Sequence, residues 1–206
     1  MMYVSKIDGT NPELRAAAMA RSNEIFENRQ ENDRDFSSVF NNCLYGIAAE
    51  LAVVEILGGT LVQRKFDKTD LHSYAYDHIR KSGQTNEIKT IFKVSPFINF
   101  NLREAFDRAV HGSYCNMTTA FNHIELINNF TFVTQTVKGN YIHSKLECIV
   151  DAREFKDKMR VSKPHKNGST HYVIPKTLKN VHFFDKKLVN QEIITTKCLT
   201  QMDYKS

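Results

Sequence analysis

The stretch that most constrains the fold of this chain is residues 75–92, AYDHIRKSGQTNEIKTIF. It predicts two short strands, 74–81 and 86–93, because aromatic and β-branched residues alternate with polar ones. Between the strands, Gly83 can adopt the positive φ that a hairpin loop often needs. Folding the ribbon about this glycine brings Asp77 next to the segment that carries Glu87 and Lys89. The sequence therefore predicts a hairpin on which two carboxylates and one ammonium converge.

These three charges favour a metal-dependent site. Strands exclude Asp, Glu and Lys from buried faces unless the charges are paired or bind a metal. Two neighbouring carboxylates repel each other, and a divalent cation such as Mg²⁺ removes that conflict. A lysine beside them can orient or deprotonate the attacking water and stabilise developing negative charge. The groups indicate metal-assisted phosphodiester hydrolysis, whereas the alternative is an exposed cross-strand ion pair worth about 0.2–1 kcal/mol.

A second feature lies upstream, in the apolar stretch 43–57, CLYGIAAELAVVEIL. This stretch predicts a helix buried against a sheet and ended by two glycines. Glu50 lies in its middle, where an ionisable group is costly unless it has a partner. Gly46 lies one turn earlier on the same face and permits close approach of another backbone. Glu50 is either a satisfied buried ion pair or hydrogen bond, or a carboxylate directed at the metal of the hairpin.

The remaining pattern predicts one domain with a helical start and an extended, basic end. We expect an N-terminal helical appendage over 1–40, a catalytic core over 41–160 and a C-terminal extension over 161–206. Other predicted helices lie at 12–28, 102–110 and 151–159, and other predicted strands at 60–66, 130–137, 141–150, 171–175 and 181–184. Residues 111–122 are expected to be irregular, and the tail at 188–202 a peripheral helix or an extended arm.

Charge is distributed unevenly along the chain. Residues 138–187 hold twelve Lys and Arg against five Asp and Glu, whereas residues 1–100 hold twelve against thirteen. This asymmetry suits a polyanionic partner, and a solvated basic face with no partner is the alternative. We expect phosphate contacts from four basic residues on the later helix and the loop after it: Lys156, Arg160, Lys163 and Lys166.

The four cysteines are far apart and form no C-x-x-C pair. This spacing argues against a zinc ribbon and fits reduced thiols in a cytoplasm. No apolar run approaches the length of a membrane span, and the N-terminus lacks the apolar core of a signal peptide, so no membrane partner is expected. The motifs for binding nucleoside triphosphates and dinucleotides are absent.

The order of these features resembles the PD-(D/E)xK nuclease superfamily, which includes type II restriction endonucleases. LYGIAAELAVVEILGG is similar to the first core helix of that family with its acidic residue, and YDHIRKSGQTNEIKT is similar to its catalytic hairpin. Tyr76 precedes Asp77 where the family pattern has a proline that varies. The resemblance implies an α/β fold with a restriction-endonuclease-like core, namely a mixed four- to five-stranded sheet flanked by helices.

The resemblance also implies the roles of the site residues. Asp77, Glu87 and the backbone carbonyl of Ile88 would hold Mg²⁺, with Mn²⁺ able to substitute. Lys89 would position the water nucleophile, and Glu50 would be an auxiliary carboxylate acting directly or through water. Asp70, in the loop before the hairpin, is a rival for the role of Asp77 and belongs to no predicted strand.

The leading hypothesis is therefore a Mg²⁺-dependent endonuclease acting on DNA as a homodimer, because one catalytic core cuts one strand. Restriction-like, junction-resolving and phage DNA-degrading enzymes all fit it. A non-catalytic nucleic-acid-binding protein on the same fold is the second hypothesis. The third is an interaction protein whose Glu87–Lys89 pair is a surface ion pair. An RNA substrate stays open, since no feature reads the 2′-hydroxyl.

Overall fold

The computed structural model describes residues 4–28, 35–62, 76–92, 110–113, 120–161, 171–173, 178–184 and 193–194. The helices are α1 (Pro12–Asn28), α2 (Phe36–Leu57) and α3 (Ala152–Lys158). The strands are β1 (Val4–Asp8), β2 (Thr60–Leu61), β3 (His78–Ile79), β4 (Thr85–Phe92), β5 (Val110–Ser113), β6 (Asn129–Lys138), β7 (Tyr141–Asp151), β8 (Arg160–Val161), β9 (His171–Val173), β10 (Val181–Phe183) and β11 (Ile193–Ile194).

The main sheet is mixed and has eight strands in the described part of the chain. Its order is β11-β1-β7-β6-β4-β3-β2, and β10 pairs with the end of β7. The β4–β6 and β1–β11 pairs are parallel, and the other pairs are antiparallel. A second, three-stranded sheet has the order β5-β9-β8. The expected α/β class is confirmed. The main sheet has more than the expected four or five strands, because β1, β10 and β11 also pair into it although they are distant in sequence from the hairpin.

The predicted hairpin is present as β3 and β4, with Gly83 at φ 84° in the turn. Its first strand is shorter than the predicted 74–81, since only two residues pair. Asp77 precedes that strand, and its carboxylate rather than a backbone carbonyl accepts the N–H of Ile88 at 2.7 Å. At this point the Asp77 side chain replaces a backbone carbonyl as the acceptor of a hydrogen bond between the two strands. A side chain that competes for backbone hydrogen bonds in this way shortens a strand.

The central helix α2 begins at Phe36, seven residues before the predicted start at position 43. Asp35 is its N-cap and accepts the N–H of Ser38 at 2.8 Å. The polar residues of its first turns form an exposed face, so they read as a loop in the sequence. The expected boundary between residues 40 and 41 lies inside this helix, and β1 of the supposed appendage belongs to the main sheet.

By length and composition alone, α2 could cross a membrane, which differs from the expectation that no segment approaches that length. Of its most apolar window, 56% is buried inside the fold. Ala49 and Val53 pack on Ile88, Val133 and Leu146 of the sheet. This packing accounts for the apolar composition, since the core helix of a globular domain has the same character.

The two faces of the sheet are covered differently. The face toward α2 carries the aliphatic core just described, and α1 packs on the outer side of α2 through Leu14 and Ala18. On the opposite face, Phe155 of α3 lies 5.4 Å from the Phe130 ring and 5.7 Å from the Phe132 ring. This aromatic cluster covers only the end of the sheet where β6 starts and β7 ends.

The predicted helices at 12–28 and 151–159 and the predicted strands at 130–137 and 141–150 are confirmed, as α1, α3, β6 and β7. The expectation of irregular structure over 111–122 was wrong in part, because residues 110–113 form β5 and residues 120–122 are helical. Position 110, the expected end of a helix, is in that strand. The rest of that predicted helix, positions 63–75 with Asp70, and the loop at 162–170 lie outside the described residues.

Candidate active site

The Glu87–Lys89 pair lies on β4, on the face of the sheet opposite α2. Glu87 is in register with Phe130 and Lys89 with Phe132, so both point toward the aromatic side. The lysine Nζ lies 2.7 Å from Glu87 Oε1, and the two side chains are only 16% and 9% exposed. This burial contradicts the alternative of an exposed surface ion pair and makes the pair costly unless it has a further role.

Asp77 is 3% exposed and lies at the edge of β4. Its backbone N–H donates to the Asn86 carbonyl at 3.0 Å, and its carbonyl accepts the N–H of Val62 at 3.0 Å. Its Oδ2 accepts the N–H of Ile88. The N–H and C=O of one residue in a strand point to the same side, so the Ile88 carbonyl is directed to the edge that Asp77 occupies.

One oxygen of Glu87 is unsatisfied in the described part of the chain. Its Oε2 is buried and accepts no hydrogen bond from a described residue, while Oε1 accepts from Lys89. A buried carboxylate oxygen without a donor costs free energy and is a feature of metal-binding and catalytic positions. The donor set of two carboxylates and a carbonyl oxygen fits a hard cation such as Mg²⁺ or Mn²⁺. Among the described residues, no group of three His, Cys, Asp or Glu side chains could hold a metal ion.

Glu50 has a different environment from Glu87. Both of its oxygens accept from Arg21 of α1, at 2.8 and 2.9 Å, in a bidentate pair. A Cβ on Gly46 would lie 3.8 Å from the same guanidinium, an ordinary van der Waals distance, and no described backbone makes the expected close approach to this glycine. The ion-pair interpretation of Glu50 is confirmed, and its role as an auxiliary carboxylate stays a prediction. Sequence reasoning missed Arg21, because no local pattern links position 21 to position 50.

His78 connects the hairpin to the end of α2. Its Nε2 lies 2.7 Å from the Gly58 carbonyl and its Nδ1 lies 3.0 Å from Asn86 Nδ2. Burial lowers the pKa of this ring, so it stays neutral with the proton on Nε2, which faces an oxygen that can only accept. Because His78 pairs with Asn86, it lies on the face opposite Glu87.

Of the four predicted basic contacts, only the Lys156 side chain is among the described residues. Its ammonium donates to the Phe121 carbonyl at 2.9 Å. Arg160 lies in β8, and its side chain is outside the described residues, as are Lys163 and Lys166. Their role as phosphate contacts stays a prediction.

Sequence reasoning missed a second buried charged group on the same face of the sheet. Glu147 accepts from Thr134 Oγ1 at 2.6 Å and from Lys145 Nζ at 2.5 Å, and it is 7% exposed. It lies in a bulge of β7, because Phe132 pairs with Cys148 and Val133 with Leu146. The Lys-x-Glu spacing on β7, the reverse of Glu87-x-Lys89, was the available signal.

Buried carboxylates and a lysine are groups that a nuclease can use, and comparison with protein families supports a nuclease. The model of the bacteriophage T4 endonuclease IV family matches residues 5–174, which is most of the chain. This protein therefore belongs to the bacteriophage T4 endonuclease IV family. Among curated proteins, none matches it. The match includes the whole hairpin and does not by itself place the chain in the PD-(D/E)xK superfamily.

Proposed function

We propose that this protein is a metal-dependent endonuclease that hydrolyses DNA phosphodiester bonds at Asp77, Glu87 and Lys89. Membership of an endonuclease family supports the reaction class. The observation that carries the site is Glu87, whose buried Oε2 has no donor among the described residues while Lys89 holds Oε1. The PD-(D/E)xK relationship that the hairpin resembles belongs to this proposal.

In the proposed site, Asp77, Glu87 and the Ile88 carbonyl hold Mg²⁺, or Mn²⁺ in its place. The bound ion supplies Lewis-acid activation of water and of the phosphate. Asp77 is held for this role by the N–H of Ile88, which fixes one oxygen and orients the other. The Lys89 ammonium, held at Glu87, orients the water nucleophile and stabilises the negative charge that develops on the phosphate oxygens.

Glu50 is proposed as the auxiliary carboxylate, acting through water. Its bidentate contact with Arg21 fixes its position on α2, and it leaves the carboxylate ionised at a buried site. Because α2 packs on the face of β4 opposite Glu87 and Lys89, this role would be indirect, and no described group of three acidic side chains includes Glu50.

DNA is the proposed substrate, and the surplus of basic residues after position 138 supports a polyanion. Lys156, Arg160, Lys163 and Lys166 are proposed phosphate contacts on the same ground. A homodimer is proposed because one catalytic hairpin per chain cuts one strand. The proposed setting is the cytoplasm of a bacterial or phage-infected cell, in which the buried Cys43 and Cys148 stay as thiols.

The test is cleavage of supercoiled plasmid, linear duplex, single strand, a four-way junction and RNA, each with Mg²⁺, Mn²⁺ or EDTA. We expect metal-dependent cutting by the wild type and a loss of roughly 10²–10³-fold in Lys89→Ala and in Glu87→Gln. Lys158→Ala is the matched control, since Lys158 also pairs with a glutamate but on α3. Cutting by Lys89→Ala at the wild-type rate would refute the site.

A further inference from the structure

The face of the sheet that carries Glu87 and Lys89 continues beyond the aromatic cluster. Register places one set of side chains there, because their neighbours Ile142 and Ser144 point toward α2. We call this set the open sheet face; it consists of Lys6, Asp8, Thr136, Lys138, Tyr141 and His143. His143 pairs with both Lys6 and Thr136, and Tyr141 pairs with both Asp8 and Lys138, so the six residues form two adjacent rows across three strands.

The open sheet face lies on the same side of the sheet as the proposed site. Lys89 is in register with Phe132, and two residues further along β6 comes Thr134, which pairs with Lys145. One more step of two residues, about 6.6 Å along a strand, reaches the row of Thr136 and His143. The buried Thr134–Lys145–Glu147 group therefore lies between the catalytic pair and the open sheet face, on the same side of the sheet.

The open sheet face carries two lysines and one aspartate, so its formal charge is positive; the Asp8 carboxylate accepts hydrogen bonds from the N–H and the hydroxyl of Thr10. The Lys6 ammonium lies 4.1 Å from the centre of the Tyr141 ring, and Tyr141 is 42% exposed. Lys138 is exposed as well. The contact with the ring leaves the Lys6 ammonium charged, so it and Lys138 can both attract a phosphate. Of the described helices, α1 and α2 lie on the other side of the sheet, and α3 covers the aromatic end.

We propose that the open sheet face binds the backbone of the nucleic acid and leads it to Glu87 and Lys89. The proposal rests on the proposed function, because the strand it guides is the one that is cut. Lys6 and Lys138 contact phosphates, Tyr141 positions Lys6, and the hydroxyl of Thr136 offers a further donor. Phosphate contacts of this kind set affinity and orientation, and they carry no sequence information.

The test compares Lys138→Glu with Arg15→Glu, which makes the same charge change on α1. Arg15 stacks over Phe40 at 5.0 Å, on the opposite side of the protein. Binding of a labelled single-stranded oligonucleotide and of its duplex is measured by fluorescence anisotropy in EDTA over a range of salt concentrations. We expect Lys138→Glu to bind about an order of magnitude more weakly at low salt and to lower the salt slope by about 0.7–0.9.

A second variant, Lys6→Gln, should lower the salt slope by a similar amount, and circular dichroism confirms that both variants fold. Equal binding by Lys138→Glu and Arg15→Glu, or no binding by the wild type, would overturn the proposal that the open sheet face binds nucleic acid. Cleavage in Mg²⁺ separates the two proposals. If the wild type cuts DNA and the variants of the open sheet face bind normally, the proposed endonuclease activity is supported and the proposed binding face is wrong. If these variants bind weakly and the wild type cuts nothing, the open sheet face binds nucleic acid but the proposed endonuclease activity, and with it the guiding role of the face, is wrong.

Discussion

At the level of single residues, two buried glutamates differ in how their burial is compensated. Glu50 has a bidentate guanidinium partner, whereas Glu87 has one lysine on Oε1 and no described donor on Oε2. A fully paired carboxylate can be retained for structure alone. An incompletely satisfied one is destabilising, and a chain keeps it where chemistry requires it.

Replacing Arg21 separates the structural from the catalytic role of Glu50. Arg21→Met removes the bidentate partner of a buried carboxylate, so we expect a loss of about 2–3 kcal/mol in the free energy of unfolding, measured by urea denaturation. The double variant Arg21→Met/Glu50→Leu removes both charges and should recover most of that stability. We expect it still to cleave DNA slowly, because the auxiliary carboxylate is gone. Full activity of the double variant would show that Glu50 is structural only.

Glu154 gives a stability change with pH that is independent of the site. Its carboxylate accepts from Lys158 and from the N–H groups of Lys179 and Asn180, and these contacts lower its pKa from 4.5 to about 2. The stabilisation is therefore complete above about pH 4.5 and is lost as the pH falls toward 2. We expect Glu154→Gln to lower the melting temperature at neutral pH and to flatten its decline in acid. If the melting temperatures of the variant and the wild type declined equally as the pH is lowered, this prediction would be wrong.

At the level of secondary-structure elements, the junction between α2 and the hairpin positions the site. Gly59 is at φ 98°, and a Cβ there would lie 2.2 Å from the Ile79 carbonyl and 2.6 Å from His78 Nε2. Both the backbone conformation and the contact exclude a side chain. Since His78 bridges Gly58 and Asn86, a shift at this junction moves the residue next to Glu87.

We therefore expect Gly59→Ala to cost about 3 kcal/mol or more, from backbone strain and overlap together. Gly83→Ala is the matched control, because Gly83 is at φ 84° with open space around its Cβ position. Strain alone should cost it about 1–2 kcal/mol. Urea denaturation of both variants measures the difference. Equal losses would mean that the close contact at Gly59 relaxes without cost.

The elements that could be predicted are those whose signals are local. The hairpin turn at Gly83 and the apolar run of α2 follow from neighbouring residues, and both are present. The early start of α2 was missed because a capping aspartate and an exposed polar turn look like a loop. The pairing of β1 with β7 joins strands that are far apart in the sequence, Val4–Asp8 and Tyr141–Asp151, and no periodicity in either strand specifies that partner.

At the level of the whole molecule, the sheet separates two environments. The α2 face is aliphatic, while the other face changes from an aromatic cluster through buried Lys–Glu pairs to the open sheet face. Sequence alone placed Glu87 and Lys89 on one face. It could not place Arg21 at Glu50 or Thr134 at Glu147, because these contacts depend on how distant segments pack.

If Glu87 and Lys89 are present for chemistry, removing both should not destabilise the protein. Replacing a buried ion pair with apolar residues is often neutral or stabilising by 1–4 kcal/mol, so we expect Glu87→Leu/Lys89→Met to unfold at the wild-type urea concentration or higher. The same variant should cut no DNA. Mg²⁺ should raise the melting temperature of the wild type, since a ligand that binds only the folded state stabilises it, and should leave that of the variant unchanged.

The matched control is Lys145→Met/Glu147→Leu, which removes the other buried Lys–Glu pair on the same face. This variant should keep the Mg²⁺-dependent rise in melting temperature. The Glu147 carboxylate that it removes already accepts hydrogen bonds from Thr134 and Lys145 in the wild type, so we do not expect it to bind the ion. A Mg²⁺ effect lost in both variants would place the ion between the two pairs. An effect kept in both would exclude Glu87 as a ligand and return the Glu87–Lys89 pair to a structural role.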